Sequence, residues 1–183
     1  ISWFDETGPV HQIQFSIMKD KVSLLIDTSG YGLHKRGYRL DANDAPIKET
    51  LAAALCNASR LRSYHTLYDP MCGSGTILVE GALMAMNIAP GLNRNFSCDR
   101  WDQLDRSIWK TEKERARDLE KRDCDFMAIG SDISPEAVEL AMINDLPQVY
   151  SLSEINYLFD IYTKESLEKN ASQFVFVKPI IEN

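Results

Sequence analysis

The sequence predicts an α/β fold in which strands and helices alternate around a parallel sheet. Two runs carry this prediction. A short strand, Thr66 to Asp69, leads into a glycine-rich loop and a nearly all-apolar helix from Thr76 to Met86. A second strand, Phe126 to Asp132, leads into a helix over Glu136 to Ile143. Strand, helix, strand, helix in this order is typical of a parallel sheet covered by helices.

The composition argues against wholesale disorder and against fibrous repeats. The 183 residues are 44% hydrophobic and 26% charged, which is ordinary for a globular domain. Twenty Lys and Arg against 27 Asp and Glu leave a net charge of −7, which gives no support for nucleic-acid binding by this segment alone. The longest uncharged apolar stretch, Gly81 to Pro90, is too short for a bilayer, so we expect no membrane partner.

The N-terminus and the cysteines are informative about the full length of the protein and about its cellular compartment. No secretory signal is visible, and the chain lacks an initiator Met, so we expect it to begin inside a longer protein. The four cysteines are widely spaced and none stands beside a histidine. We therefore expect no metal site, and reduced thiols in a cytoplasmic protein.

The N-terminal elements begin with a predicted β-hairpin. Residues 13–18 and Val22 to Asp27 are strand-like runs around a turn at Lys19-Asp20-Lys21. A glycine-rich loop, 28–32, follows. The next residues, His34 to Arg39, form a basic spot that is either a phosphate-contacting site or a plain solvated loop.

A first helix is predicted next. Asp44 is a suitable N-cap and Pro46 suits a first turn, so residues 46–50 are expected to form the opening turns of a helix that continues through Leu55.

The region between the two predicted strands is an insertion, 87–125. Seventeen of the 27 residues in 99–125 are charged, with eight basic and nine acidic. Mixed charges at this density favour a solvated helix from about Ile108 to Arg122. Trp101 and Trp109 are expected to attach it to the core.

The C-terminal part is less regular. Ser134 is a good N-cap and Pro135 a good first-turn residue for the last predicted helix. The run Ile155 to Tyr162 is compatible with helix or strand, and Phe174 to Val177 is strand-like.

The glycine-rich loop after Asp69 reads Pro-Met-Cys-Gly-Ser-Gly and lies where open α/β sheets bind ligands. It contains no lysine, which excludes a nucleoside triphosphate P-loop. A dinucleotide fingerprint needs a third glycine at position 78, which is Leu. S-adenosylmethionine remains: Asp69 can pair with its ammonium group, and free N–H groups from Gly73 to Thr76 can bind its carboxylate.

Asp132 strengthens this interpretation. A carboxylate at the end of the next strand can accept hydrogen bonds from both ribose hydroxyls. The alternative role, a turn or cap residue, is common for an isolated Asp.

Several motifs together resemble a known family. They are 69–82 (Asp-Pro-Met-Cys-Gly-Ser-Gly-Thr-Ile-Leu-Val-Glu-Gly-Ala), 89–94 (Ala-Pro-Gly-Leu-Asn-Arg), 27–39, 45–55 and 130–133 (Gly-Ser-Asp-Ile). Taken together, and in the order in which they follow one another along the chain, they resemble class I S-adenosylmethionine-dependent RNA methyltransferases that carry a THUMP RNA-binding domain. The group of ribosomal RNA guanine exocyclic-amine methyltransferases, often labelled adenine-specific DNA methylases, is the most similar.

The resemblance implies a Rossmann-like class I methyltransferase sheet and a set of cofactor-binding residues. It implies that 1–40 is the end of an upstream THUMP-type domain with a linking hairpin, and that 41–183 is an S-adenosylmethionine-binding domain. The cofactor-binding residues that it implies are Asp69, Gly73, Ser74, Gly75, Thr76, Asp132 and, packing on the adenine, Ile133. Pro46, Lys48 and Thr50 are further candidates. The implied partner is RNA, in particular ribosomal RNA.

One departure from the family is important. Its members carry Asn-Pro-Pro-aromatic downstream of the ribose-binding Asp, where the motif orients the target amine and stacks on the flipped base. No Asn-Pro-Pro follows Asp132 in this chain. We therefore expect an incomplete sheet and a chain that binds S-adenosylmethionine weakly at best and does not methylate alone.

Three functions stay open on the sequence. The first is methyl transfer to an exocyclic amine in RNA, guanine in large-subunit ribosomal RNA; the second is the same chemistry on adenine in DNA. The third is a non-catalytic α/β binding module, which the charge of −7 and the missing motif favour and the intact cofactor loop argues against. Methyl transfer to RNA is the leading interpretation.

Overall fold

A computed structural model describes residues 7–39, 46–134 and 136–141, together with the backbone of 173–177. Within this part of the chain, two strands pair as a hairpin and three strands form a second sheet. The described helices are interspersed with the strands of the second sheet along the chain. The predicted α/β class is confirmed.

The hairpin consists of β1 (Gln12–Met18) and β2 (Lys21–Asp27), which pair antiparallel. Lys19 and Asp20 both have positive φ, 49° and 62°, as a two-residue turn between right-twisted strands requires. The hairpin is therefore as predicted, except that Lys21 belongs to the strand and not to the turn.

One face of the hairpin is apolar. Cross-strand partners lie on the same side of a sheet, and three such pairs are apolar: Ile13 with Ile26, Phe15 with Leu24, and Ile17 with Val22. These six side chains, which we call the apolar hairpin face, are 62% to 73% exposed. They contribute little to the core of the described chain.

The second sheet has the order β3-β4-β5. Strands β3 (Thr66–Asp69) and β4 (Met127–Asp132) are parallel, as predicted. Strand β5 (Gln173–Val177) pairs antiparallel with β4, so the sheet is mixed and β4 is its central strand. The strand-like pattern of 174–177 predicted the strand but carries no information about its direction.

Helix α1 spans Glu49–Ala58, with Lys48 as an extended N-cap. The predicted opening turns are therefore wrong for 46–48, whereas Glu49 and Thr50 are helical as predicted. The Ile47 carbonyl accepts a hydrogen bond from Arg39 Nη2 at 3.2 Å, and the Glu49 carboxylate pairs with Arg39 Nε at 3.0 Å. These contacts hold the chain before Glu49 beside Arg39 in a non-helical conformation. Asp44 lies outside the described residues.

Helix α2 (Thr76–Ala85) lies against β3 and β4 and forms most of the core. Eight of its ten residues are buried, which agrees with its nearly all-apolar sequence. Gly130 in β4 permits close packing, because a Cβ there would lie 2.5 Å from Leu78 Cδ1. The fully buried Phe126 and Met86 complete this core.

Helix α3 spans Arg106–Asp118, against the predicted Ile108 to Arg122. Its N-cap is Asp105, whose carboxylate accepts a hydrogen bond from the Ser107 N–H at 2.9 Å. None of its residues is buried, so the prediction of a solvated helix is confirmed. It ends early, and shortly afterwards the Lys121 N–H donates to the Met86 carbonyl at 2.7 Å.

The two tryptophans of this region have different neighbours. The Trp109 ring stacks on Phe96, with 5.8 Å between ring centroids. The Trp101 ring stacks on His11, and its Nε1 donates to the Val10 carbonyl. Trp101 therefore attaches the insertion to the segment before β1, and not to the core as predicted.

The residues after β4 are helical over 136–141. Ser134 Oγ accepts a hydrogen bond from the Ala137 N–H at 3.2 Å, which confirms its predicted capping role. Pro135, Ile143 and the run Ile155 to Tyr162 lie outside the described residues. No helix in the described ranges is long and apolar enough to cross a membrane.

Candidate cofactor site

The site lies where β3 and β4 end side by side. Their parallel register pairs Asp69 with Gly130, two residues before Asp132. The carboxyl ends of the two strands, and with them two carboxylates, therefore lie at the same edge of the sheet. The loop 70–75 starts from this edge and leads into α2.

The loop is a tight turn anchored to β4. Gly73 and Gly75 have φ of +53° and +79°, a region that L side chains rarely adopt. The Gly75 N–H donates to the Cys72 carbonyl at 2.9 Å, which closes the turn. The Cys72 N–H donates to the Ser131 carbonyl at 2.9 Å, which attaches the turn to the neighbouring strand.

Asp132 joins the loop to the strand end. Its Oδ2 accepts a hydrogen bond from the Gly73 N–H at 2.9 Å, and its Oδ1 accepts one from the Ser134 N–H at 3.0 Å. Hydrogen bonds from Ser134 and Gly73 lower the pKa of this carboxyl below its usual 3.8. Asp132 is therefore ionised at neutral pH. Each carboxylate oxygen has a second lone pair, so the group can accept further hydrogen bonds.

The loop offers fewer free backbone N–H groups than the sequence predicted. The amides of Gly73 and Gly75 already donate within the protein, to Asp132 and to the Cys72 carbonyl. Helix geometry leaves the N–H groups of the first turn of α2, beginning at Thr76, without acceptors inside the helix. The helix N-terminus also carries positive potential. The part of the site suited to a carboxylate is therefore the start of α2 rather than the two glycines.

The remaining predicted residues lie around this edge. Asp69 Oδ1 accepts a hydrogen bond from the Met71 N–H at 3.2 Å. Ser74 and Thr76 are buried, whereas the side chain of Ile133 is fully exposed directly after Asp132. Asp132 can accept hydrogen bonds from hydroxyl groups, and the exposed Ile133 side chain beside it is suited to pack on a flat apolar ring.

The sequence did not indicate that Arg39 and Glu49 lie beside the cofactor loop. Arg39 Nη2 donates to Thr76 Oγ1 at 2.8 Å, and the buried Glu49 pairs with Arg39. The structure thus places Glu49 in contact with Arg39. No local signal in the sequence indicates these contacts, because Arg39, Glu49 and Thr76 come from separate segments. The approach of Pro46, Lys48 and Thr50 to the cofactor stays a prediction.

The basic spot is not a row of free cations. Arg36 makes two hydrogen bonds of 3.2 Å to the Glu80 carboxylate, and Arg39 is paired with Glu49. Tyr38, which lies between them in sequence, also donates to Glu80, at 3.0 Å. Of the three Lys and Arg side chains in the spot, Arg36 and Arg39 therefore stabilise the fold through ion pairs. The interpretation as a phosphate-contacting site is not supported for these two residues.

Within the described ranges, no group of three or more His, Cys, Asp or Glu could hold a metal ion.

A protein-family model matches the central part of the chain. Residues 36–156 match a family model described as RMKL-like, methyltransferase domain. The match spans 121 of the 183 residues, about two thirds of the chain. It includes the loop and both strand ends.

Two curated relatives are each 41% identical to the chain. "Putative RNA methyltransferase YpsC" of Bacillus subtilis (strain 168) aligns over 142 residues, 78% of this chain and 37% of that protein. "Ribosomal RNA large subunit methyltransferase K/L" of Psychromonas ingrahamii aligns over 151 residues, 77% of this chain and 20% of that protein. The chain thus spans well under half the length of the curated relatives it matches.

Two solved structures are similar in fold. "A predicted N6-adenine-specific DNA methylase" from Listeria monocytogenes has 48% identity and a TM-score of 0.70, over 76% of this chain and 37% of that one. SMU.472, "a putative methyltransferase complexed with SAH", has 36% identity and a TM-score of 0.69, over 85% of this chain and 38% of that one.

Proposed function

Because the chain belongs to the family of RMKL-like methyltransferase domains, we propose that it is the cofactor-binding part of an S-adenosylmethionine-dependent RNA methyltransferase. The observation that carries the proposal is the loop between β3 and α2, which Asp132 holds at the edge of the sheet through Gly73 at 2.9 Å. Sequence similarity to RNA methyltransferases supports the same activity.

The residues at this edge fit the groups of S-adenosylmethionine. When bound, the cofactor supplies an electrophilic methyl group on a sulfonium. Asp132 is ionised and has lone pairs for the ribose hydroxyls, and Ile133 offers an exposed apolar surface for the adenine. Asp69 can pair with the ammonium group, and the first turn of α2 with Ser74 and Thr76 can hold the carboxylate. The site would bind and orient the donor, which is the main protein contribution to an in-line transfer.

The substrate in this proposal is an exocyclic amine of a base in RNA, specifically guanine in large-subunit ribosomal RNA. Both curated relatives are named for RNA, and one for large-subunit ribosomal RNA. Arg36 and Arg39 are engaged with carboxylates, and the net charge is −7. Most contacts to the phosphate backbone would therefore be made by parts of the protein other than this segment.

Adenine in DNA is the second candidate, since the Listeria neighbour is named a DNA methylase. The two candidates differ in the nucleic acid that is methylated. A transfer assay with both polymers distinguishes them.

We expect the 183-residue chain to bind S-adenosylmethionine but not to transfer its methyl group. The reason is that the Asn-Pro-Pro-aromatic motif, which orients the target amine, does not follow Asp132. Isothermal titration measures binding, and tritium transfer to ribosomal RNA and to DNA measures activity. Absence of binding would contradict the proposed function, and strong transfer by this chain would contradict the proposed need for the motif.

We also propose that residues 1–40 are the end of an upstream THUMP-type domain and a linking hairpin, followed by the methyltransferase domain. Two observations support this division. The family match begins at residue 36, and the apolar hairpin face lacks a cover within the described part of the chain.

The cysteines support a proposed location for the protein. All four are free thiols and three of them are buried, which supports a reducing and therefore cytoplasmic location.

The division predicts a stability effect that depends on the upstream segment. Replacing both Phe15 and Leu24 by Ser should lower the Tm of the longer protein by several degrees, because about 1 kcal/mol shifts Tm by 2–8 °C depending on domain size. The same change should leave the Tm of the 183-residue chain nearly unchanged. The matched control replaces Ser16 and Ser23, a pair on the opposite hairpin face, by Thr. Equal Tm shifts in the two lengths of chain would contradict the division.

A further inference from the structure

The segment that follows the hairpin holds α2 at two successive turns. Arg39 contacts Thr76, the first residue of α2, and Arg36 with Tyr38 contacts Glu80 one turn later. Residues four apart lie on the same face of a helix, so both contacts are made on one side of α2. Only the contact between Arg39 and Thr76 lies at the N-terminus of α2, where the cofactor loop joins the helix.

Arg39 links three elements at that end. Its Nη2 donates to Thr76 Oγ1 at 2.8 Å and to the Ile47 carbonyl at 3.2 Å, and its Nε pairs with Glu49 at 3.0 Å. The side chains of Arg39 and Glu49 are only 18% and 9% exposed. A guanidinium has a rigid, planar set of donors, so these contacts fix the start of α1 relative to the start of α2.

Thr76 is suited to pass this constraint to the loop. It is 3% exposed and directly follows Gly75, whose φ is +79°. A hydroxyl has one donor hydrogen besides its acceptor lone pairs. Because Arg39 donates to the Thr76 oxygen, the oxygen is held in place while its hydrogen is left for another acceptor. The first-turn N–H groups of α2 are held in place with it.

We propose that Arg39, supported by Glu49, is a positioning residue that fixes Thr76 and the first turn of α2 for the amino-acid tail of the cofactor. The inference rests on the proposed function and adds to it the role of a residue outside the glycine loop. It predicts that Arg39 affects binding of the tail and not of the nucleoside, which contacts the other side of the site at Asp132.

Two ligands separate these parts of the site. S-adenosylhomocysteine carries the amino-acid tail, whereas 5′-methylthioadenosine has the same nucleoside and sulfur without it. Arg39→Gln and Thr76→Val should each weaken binding of S-adenosylhomocysteine about tenfold, as expected for one hydrogen bond to a charged group. Binding of 5′-methylthioadenosine should stay unchanged, and Thr76→Ser, which keeps the hydroxyl, should retain affinity for both ligands.

Arg36→Gln is the matched control, because it removes an arginine that holds the same helix without touching Thr76. It should leave the ratio of the two Kd values at its wild-type value. The positioning role is overturned if Thr76→Val and Arg39→Gln weaken both ligands equally or neither, or if Arg36→Gln changes the ratio as much. If the wild-type chain binds neither ligand, it is the proposed function that fails.

Discussion

Replacing Asp132 by Ala is expected to weaken binding of S-adenosylmethionine about 100-fold, the largest effect on affinity that we expect from one substitution. Hydrogen bonds to a charged acceptor contribute about 1.5–3 kcal/mol each, and 1.4 kcal/mol is a factor of ten. The substitution removes the proposed acceptor of both ribose hydroxyls. It also releases the Gly73 N–H, which Asp132 holds at 2.9 Å. Isothermal titration measures the change.

Asp132 and Arg39 should differ in which ligand they affect. Because 5′-methylthioadenosine retains the ribose, Asp132→Ala should weaken its binding as strongly as that of S-adenosylmethionine. Asp105→Ala is the matched control, since Asp105 also accepts a backbone hydrogen bond, from Ser107, but lies exposed at the start of α3. An affinity retained by both Asp132→Ala and Asp132→Asn would exclude the ribose-binding role.

The same carboxylate has a predictable effect on acid stability. The pKa of Asp132 is lowered in the folded protein by hydrogen bonds from Ser134 and Gly73. Its contribution to stability is therefore present above the ordinary pKa of 3.8 and is lost as the pH falls through the lower, folded-state value. The difference in unfolding free energy between wild type and Asp132→Asn should accordingly shrink below about pH 4.

Replacing Glu80 by Ala is expected to destabilise the fold by about 3 kcal/mol. Glu80 is 3% exposed and accepts hydrogen bonds from Arg36 and from the buried Tyr38. Its removal leaves both donors without this acceptor. The cost lies at the low end for a broken buried ion pair, because the Arg36 side chain is 14% exposed and can turn towards solvent. Urea unfolding at pH 7 measures it.

Replacing the whole cluster tests this explanation. The triple variant Arg36→Met, Tyr38→Phe, Glu80→Leu removes every partner together and should recover most of the stability that Glu80→Ala loses, since apolar groups of similar volume replace a buried ion pair at little cost. A loss below about 1 kcal/mol for Glu80→Ala, or a triple variant no more stable than Glu80→Ala, would contradict the account.

The cluster also has a defined pH dependence. Burial raises the pKa of Glu80 above 4.5, although Arg36 and Tyr38 act against this shift. A carboxyl whose pKa is raised in the folded state favours folding below pH 4.5, and this contribution is lost as the pH rises through the raised value. The triple variant should lack this part of the pH dependence of wild-type stability.

Elements with strong local patterns could be predicted from the sequence. The hairpin, β3 and the Ser134 cap agree with the structure, because alternation, a short turn and a capping hydroxyl act over a few residues. The start of α1 could not be predicted, since Pro46 is a good first-turn residue locally. Contacts of Arg39 with Ile47 and Glu49 place the start at Glu49 instead.

The candidate site divides in the same way. The loop glycines and Asp132 follow from the order strand, loop, helix, strand, and the structure brings Gly73 and Asp132 within hydrogen-bond distance. The N–H groups of Gly73 and Gly75 already donate hydrogen bonds within the protein, which the loop sequence alone does not indicate. Whether an N–H is free depends on which acceptor the neighbouring strand places opposite it.

By itself the sequence determined the α/β class, the parallel pair β3 and β4, and the glycine-rich loop that leads into α2, because these depend on neighbours along the chain. The tertiary structure alone decided what the charged residues do. It paired Arg36 with Glu80 and Arg39 with Glu49, across 44 and ten positions of sequence. Ion pairs of this kind depend on distance in space and on burial, and neither is encoded in the spacing of residues along the chain.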